Sequence, residues 1–287
     1  MPLPPDFDTR YAGGEPDDEG VLLLFRGQEV YMGEEPDPFP QLSEVEIPEE
    51  PLSIGRHRGR KYFALLLEDS KEEDVAPGER RRWVNRRSSF HRLSSYHFWI
   101  SARAYQLARW ERESRFCGLC GSPQERCETE LGKVCPRCGH REYPRIAPAM
   151  IVAVVSRGRL LMAHATKHRE GLYSVLAGFV EPGESLEECV AREVREESGI
   201  ELAEITYFAS QSWPFPNSLM VAFTATAATE EITVDGEEIS EAGWFTPRET
   251  LELPEIPGAV SVSRRLIDWF IDRYGDEETR ALHHRRP

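Results

Sequence analysis

The sequence predicts a mixed α/β chain, α+β in its first part, and three observations carry that reading. Short apolar runs bounded by turn residues alternate with stretches of helical spacing, two Cys-x-x-Cys pairs interrupt the middle, and a capped, glutamate-rich helix lies in the second half. In chain order these give an N-terminal α+β domain with a linking helix (1–113), a cysteine-rich module (114–143) and a second α/β domain (144–287).

In the first domain, VLLLFRGQEVYM from Val21 has apolar runs on either side of Arg26 and Gly27, which predicts a hairpin, and KYFALLLED from Lys61 predicts another strand. From Ser94 the spacing changes. Phe98, Ala102, Tyr105, Leu107 and Trp110 recur at mostly helical intervals with no Pro or Gly between them. In the second domain, MIVAVVSRGRLLMAHAT reads as two strands around a turn at Ser156 to Gly158. Further strands are expected at YSVLAGFV from Tyr173, ITYFASQSW from Ile205 and SLMVAFTATA from Ser218, with helices after Glu184 and Val260. In the last helix Val262, Leu266, Ile267, Phe270 and Ile271 share a face, and Gly275 is its stop. No internal repeat is visible.

Composition narrows the function. The formal net charge of -15 disfavours sequence-independent binding to duplex nucleic acid, which rewards Lys and Arg. Two basic runs, RHRGRK from Arg56 and ERRRWVNRR from Glu79, are either local anion contacts or solvated loop charge. No apolar run is long enough to cross a bilayer, and neither terminus carries a sorting signal, so a cytoplasmic protein is expected.

Cys117 with Cys120 and Cys135 with Cys138 form paired knuckles fourteen residues apart, each followed by a glycine, Gly121 or Gly139. Four thiolates leave no open position, so the expectation is a structural tetrahedral Zn²⁺ site that holds domains together. A disulfide pair is disfavoured in a reducing compartment, and a thioredoxin-like redox motif needs one Cys-x-x-Cys at a helix start rather than two in a Gly-rich loop. Knuckles of this kind also bind nucleic acid, so the module alone does not separate scaffold from binder. Cys127 and Cys189 fall outside the pattern and are read as ordinary packed or surface residues.

The stretch GFVEPGESLEECVAREVREESGI runs from Gly178 to Ile200. Ser185 and Glu188 make a capping box, so the helix starts at Leu186, and Gly199 ends it. At about 100° per residue, Leu186, Cys189, Val190 and Val194 share one face; Glu193 and Glu197 fall in the same arc, and Glu196 lies at its edge. Arg192 and Arg195 fall outside it. Carboxylates at i, i+3 and i+4 beside an apolar stripe repel one another and lose solvation unless a cation sits among them, which proposes a Mg²⁺ or Mn²⁺ site. Glu184 is placed to pair with Arg192 as a structural ion pair.

These residues resemble the Nudix box, G-x5-E-x7-R-E-U-x-E-E-x-G-U, with Gly178, Glu184, Arg192, Glu193, Glu196, Glu197 and Gly199 at its fixed positions and Val194 and Ile200 at its apolar ones. SQSWPFPNS from Ser210 is similar to the SQPWPFPxS array of NADH pyrophosphatases within that superfamily, with Ser212 in place of a proline. The preceding zinc ribbon and EYPRIAP from Glu142 match the same subfamily. The resemblance implies a Nudix α/β/α sandwich preceded by a zinc ribbon and a smaller N-terminal α+β domain. It further implies a homodimeric enzyme that splits NAD(H) into nicotinamide mononucleotide and AMP, and in some relatives removes the NAD cap from RNA.

By that resemblance the metal ligands are Glu193, Glu196, Glu197, the carbonyl of Ala177 and a loop carboxylate at Glu238 or Glu241, with Glu238 preferred. The catalytic residues are Glu193, Glu196 and Glu197, the last also the general base. Substrate contacts fall on Tyr143, Phe179, Gln211, Ser212, Trp213, Pro214, Phe215, Pro216, Asn217, Ser218 and Ser263. Pro214 and Pro216 are expected to stiffen the loop and hold its aromatics outward. Two other readings stand beside NAD(H) hydrolysis: NAD-capped RNA as the real substrate, guided by the basic runs, and a non-catalytic nucleotide sensor or nucleic-acid-binding module.

Overall fold

The computed structural model describes residues 3–10, 18–68, 81–234 and 236–285, and the chain divides into two units, Met1–Arg145 with Pro214–Asn217, and Ile146–Trp213 with Ser218–Pro287. In the first unit the Val21 hairpin forms as expected, β1 (Val21–Arg26) against β2 (Glu29–Met32). It continues with β3 (Leu52–His57), β4 (Arg60–Leu67), β5 (Arg82–Asn85) and helix α1 (Ser95–Glu113). Ser94 caps α1 by accepting from the His97 N–H. The sheet order is β3-β4-β1-β2-β5, with β1 and β4 parallel and the other neighbours antiparallel. Helix α1 covers one face, where Phe25 meets Tyr105 edge-on; Leu42, Val45 and Ile47 pack on the other, against Leu22, Leu24, Phe63 and Leu65.

Both basic runs contribute strands to this sheet, so the solvated-loop alternative does not describe them. Arg56 to Lys61 is the β3–β4 hairpin, with Arg58 and Gly59 at positive φ in its turn. Of the second run, Glu79 and Arg80 lie outside the described residues; Arg82 to Asn85 is edge strand β5. Its charges are partly spent within the unit, since Arg81 pairs with Glu44 at 3.1 Å. The ribbon follows as three two-residue strands, β6 (Glu125–Arg126), β7 (Lys133–Val134) and β8 (Arg141–Glu142).

The second unit contains β9 (Ala147–Ser156), β10 (Arg159–Ala165), β11 (Leu176–Phe179), α2 (Leu186–Ser198), β12 (Leu202–Trp213), β13 (Ser218–Ala227), β14 (Ile239–Phe245), α3 (Pro247–Glu252), α4 (Val262–Tyr274) and α5 (Glu277–His283). The expected turn joins β9 to β10, with Arg157 and Gly158 at φ 47° and 74°. The YSVLAGFV strand is shorter than expected: Ser174 makes one bridge to Ala163, and continuous pairing with β9 begins at Leu176. β14, α3 and α5 were not expected from the sequence.

Alternation along β9 assigns the two faces. Met150, Val152 and Val154 pack with Cys189, Val190 and Val194 of α2, whereas Ile151, Ala153 and Val155 pack with Leu266, Ile267 and Phe270 of α4. The unit is an α/β/α sandwich. Its sheet order, β12-β13-β9-β10-β14, with β9 and β13 parallel, is the order of the first unit strand for strand. α4 then corresponds to α1. The expectation of no internal repeat is therefore corrected: the repeat lies in non-local pairing, and the first unit has no counterpart of β11 and α2 between its β2 and β3. Among the described residues no helix is long and apolar enough to cross a membrane.

Candidate active site and metal centres

The four cysteine sulfurs lie within 4.8 Å of one another. Each knuckle is a tight turn: the Gly121 N–H donates to the Cys117 carbonyl at 2.8 Å and the Gly139 N–H to that of Cys135 at 2.9 Å, both glycines at positive φ. Donation from the Ser122 amide and hydroxyl lowers the Cys120 thiol to about 6. Cys138, despite the His140 amide, is pushed up to about 12 by desolvation and the neighbouring sulfurs. Crowded thiols that cannot all ionise are what a tetrahedral cation relieves, and the donor set fits structural zinc. Cys127 and Cys189 are packed residues outside this group, as expected.

The ribbon is tied to the end of α1 by buried Lys133. Its ammonium donates to the carbonyls of Glu111 at 2.7 Å and Ser114 at 3.2 Å, groups that the helix end leaves without intrahelical partners, and pairs with the Glu111 carboxylate. Nothing in the sequence marked Lys133; its role depends on where the helix ends in space.

Helix α2 follows its local code. The Glu188 carboxylate accepts from the Ser185 N–H at 2.8 Å, Ser185 Oγ accepts from the Glu188 N–H at 3.2 Å, and Gly199 at φ 71° closes the other end. Glu197 is buried, the Glu193 side chain is 14% exposed, and Glu196 is 58% exposed, as expected for two residues inside the arc and one at its edge. Gly178 on β11 makes room for Glu193: a Cβ there would stand 1.9 Å from its carboxylate carbon. Burial pushes the Glu193 carboxyl up, and the charges of Glu196 and Glu238 push the same way against the pull of Arg192.

Arg192 clasps Glu184 through two hydrogen bonds of 2.5 and 3.0 Å, as expected, and holds that carboxyl near 2. It does not point away from the candidate ligands, however. Its Nη1 lies 3.0 Å from both Glu193 and Glu196, and its Nη2 donates to the Phe179 carbonyl at 3.0 Å. A wheel places Cβ atoms, and a guanidinium on three methylenes reaches well beyond its own arc. Among the described residues the glutamate oxygens do not gather within 4.8 Å as the cysteine sulfurs do; Arg192 draws two of them towards itself.

Of the two loop carboxylates, Glu241 accepts from the Tyr173 hydroxyl, whereas the charge of Glu238 acts on Glu193. Ala177 lies on β11 opposite Ile151. Hard oxygen donors near Glu193 fit a hard divalent cation.

Residues of the predicted substrate segment divide between the units. Gln211 is buried and cross-links the end of β12 to the start of α4, donating to the Val260 carbonyl and accepting from the Val262 N–H, each at 2.7 Å. Ser263 is buried against Ser174, their hydroxyls 2.8 Å apart, and Ser218 is buried as well. Ser212 is exposed, Trp213 is half-buried and Phe179 is exposed. In the first unit, the Pro214 carbonyl accepts from Arg86, Asn217 donates to the Arg145 carbonyl at 3.2 Å, Pro216 is exposed, and the exposed Tyr143 ring packs on Gly132. Phe215 is not held outward. Its ring lies 5.1 Å from the Arg86 guanidinium and 4.6 Å from that of Arg87, a cation–π arrangement the sequence did not disclose.

Comparison with known proteins matches three successive regions of the chain. Residues 144–270 match the NUDIX domain, 112–143 the NADH pyrophosphatase zinc ribbon domain, and 19–110 an NADH pyrophosphatase-like rudimentary NUDIX domain. The last match agrees with the repeated strand order. A protein of Stutzerimonas stutzeri named NAD-capped RNA hydrolase NudC is 42% identical over 220 residues, which is 77% of each chain. The Salmonella typhimurium protein of that name is 46% identical over 217 residues, 76% of this chain and 79% of its own. The chain belongs to the Nudix hydrolase superfamily, in the zinc-ribbon NADH pyrophosphatase subfamily whose members include proteins named NAD-capped RNA hydrolase.

Proposed function

We propose that this protein hydrolyses the pyrophosphate bond of NAD(H), giving nicotinamide mononucleotide and AMP, and removes the NAD cap from RNA 5′ ends. The observation that carries the reading is the seating of Glu193 against Gly178 beside buried Glu197, in a chain more than 40% identical to hydrolases of that name. Mg²⁺ or Mn²⁺ is the cation, held by Glu193, Glu196, Glu197, the Ala177 carbonyl and Glu238. When bound, it neutralises the pyrophosphate charge and lowers the pKa of the attacking water.

The chain's own residues do the rest. Glu197, buried on α2, accepts the proton of the attacking water. Arg192, fixed by Glu184, orients Glu193 and Glu196 and offsets their mutual repulsion. Phe179 and Trp213 provide flat faces for the rings of the dinucleotide. Gln211 and Ser263 contribute by holding the backbone of β12 and α4 in place, since their side chains are engaged with protein. The same reading makes the protein a cytoplasmic homodimer with reduced thiols.

The test is AMP release from NADH with Mg²⁺, comparing wild type with Glu197→Gln. A loss on the order of 10²- to 10⁴-fold in kcat is expected for removal of a general base. No AMP from the wild type would sink the substrate assignment, and undiminished turnover in the variant would sink that of the residue.

A further inference from the structure

Helices α4 and α5 meet at a second group of metal-ligand type, on residues that neither the sequence reading nor the proposed chemistry uses. Asp272, His283 and His284 each bring one ligand atom within 4.8 Å of the others. Asp268 and Asp272 lie one helical turn apart on α4, and α5, which follows after a short connection, carries the two histidines back to them. His284 Nε2 stands 3.2 Å from Asp272.

The surroundings of His283 point to a ligand. The residue is only 7% exposed, and its two ring nitrogens are in different situations. Nε2 lies 3.3 Å from the Asp268 carboxylate, which Arg264 holds in place through a 2.6 Å hydrogen bond. Nδ1 is buried and has no hydrogen-bond partner among the described residues. A carboxylate on one imidazole nitrogen fixes the ring and makes the other nitrogen a better donor, the usual outer-shell arrangement of a metal-bound histidine. A buried nitrogen without a partner otherwise costs free energy.

We propose that Asp272, His283 and His284 bind a late first-row divalent ion of the Zn²⁺ class, with Nδ1 of His283 as one ligand, and that the ion fastens α5 to α4. Two imidazoles and one carboxylate select such ions over Mg²⁺, which prefers an all-oxygen shell. The site is chemically distinct from the thiolate centre and from the carboxylates of α2.

The full chain with its cysteine centre zinc-loaded is titrated calorimetrically with Zn²⁺ in excess Mg²⁺, which keeps the carboxylates of α2 occupied. One further equivalent of Zn²⁺ is expected, with a zinc-dependent rise in melting temperature. Exposed His284→Ala and Asp272→Asn are chosen because buried His283 is a risk to folding, and each is expected to lose at least tenfold in affinity together with the thermal shift. No further equivalent in the wild type, or one retained unchanged by both variants, would overturn the proposal. So would equal occupancy by Mg²⁺ at the same concentration.

Discussion

In a Gly178→Ala variant the new Cβ would stand 1.9 Å from the carboxylate carbon of Glu193 and 2.1 and 2.2 Å from its oxygens. Ordinary contact needs about 3.5 Å between carbons, so the carboxylate must retreat by about 1.5 Å. The obstructed group is the far end of a flexible side chain, and Gly178 does not sit at positive φ, so the backbone has no reason to break. Alanine also restricts the unfolded chain, worth about 0.4–1 kcal/mol in favour of folding. The melting temperature should therefore stay within about 4 °C of wild type. Turnover should not: a misplacement of about 1 Å at a reacting centre costs roughly a hundredfold. Thermal unfolding and AMP release from NADH at saturating Mg²⁺ measure the two together. Full turnover in a folded variant would refute the role given to the Gly178–Glu193 contact, and a collapse of stability would refute the claim that only a side-chain end is displaced.

Glu238→Gln is expected to raise the Mg²⁺ concentration for half-maximal turnover by tenfold or more, corresponding to about 1.4 kcal/mol. Glu241→Gln, whose carboxylate is engaged by Tyr173, should leave it nearly unchanged; the reverse order would exchange the two assignments. Because Arg192 lowers the Glu184 carboxyl from its ordinary value to about 2, their pairing stabilises the fold fully above the unfolded-state carboxylate range and progressively less as pH falls towards 2. Acid unfolding of Arg192→Ala should lose that part of its pH dependence, and identical acid titrations would count against the clasp. Lys133→Met removes the donor to two helix-end carbonyls and should cost about 1–3 kcal/mol in denaturant unfolding, with zinc still bound.

What could be read in advance was what is encoded locally. Ser185, Glu188 and Gly199 fix the ends of α2 within a single stretch, and the arc separated the inward Glu193 and Glu197 from the edge residue Glu196. The turn at Arg157 and Gly158 and the strand at Ser218 were equally local. What escaped depends on reach or on pairing across the chain. Arg192 looked as if it faced away because a wheel ignores the length of its side chain. Strand β5 was hidden by its own arginines, which an edge strand tolerates because one side of it faces solvent. Phe215 could not be placed against Arg86 and Arg87 from a sequence separation of more than a hundred residues.

The matching strand orders of the two units allow a comparison that neither unit permits alone. The first sheet closes one face with a long helix and the other with the short segment around Leu42 and Ile47, and among its described residues there is no helix carrying clustered glutamates. In the described residues of that unit, five strands in this order stand without an acidic helix. The carboxylates of α2 stand on a strand frame that the first unit repeats, and the described part of the first unit is a natural reference for that frame without an α2 helix.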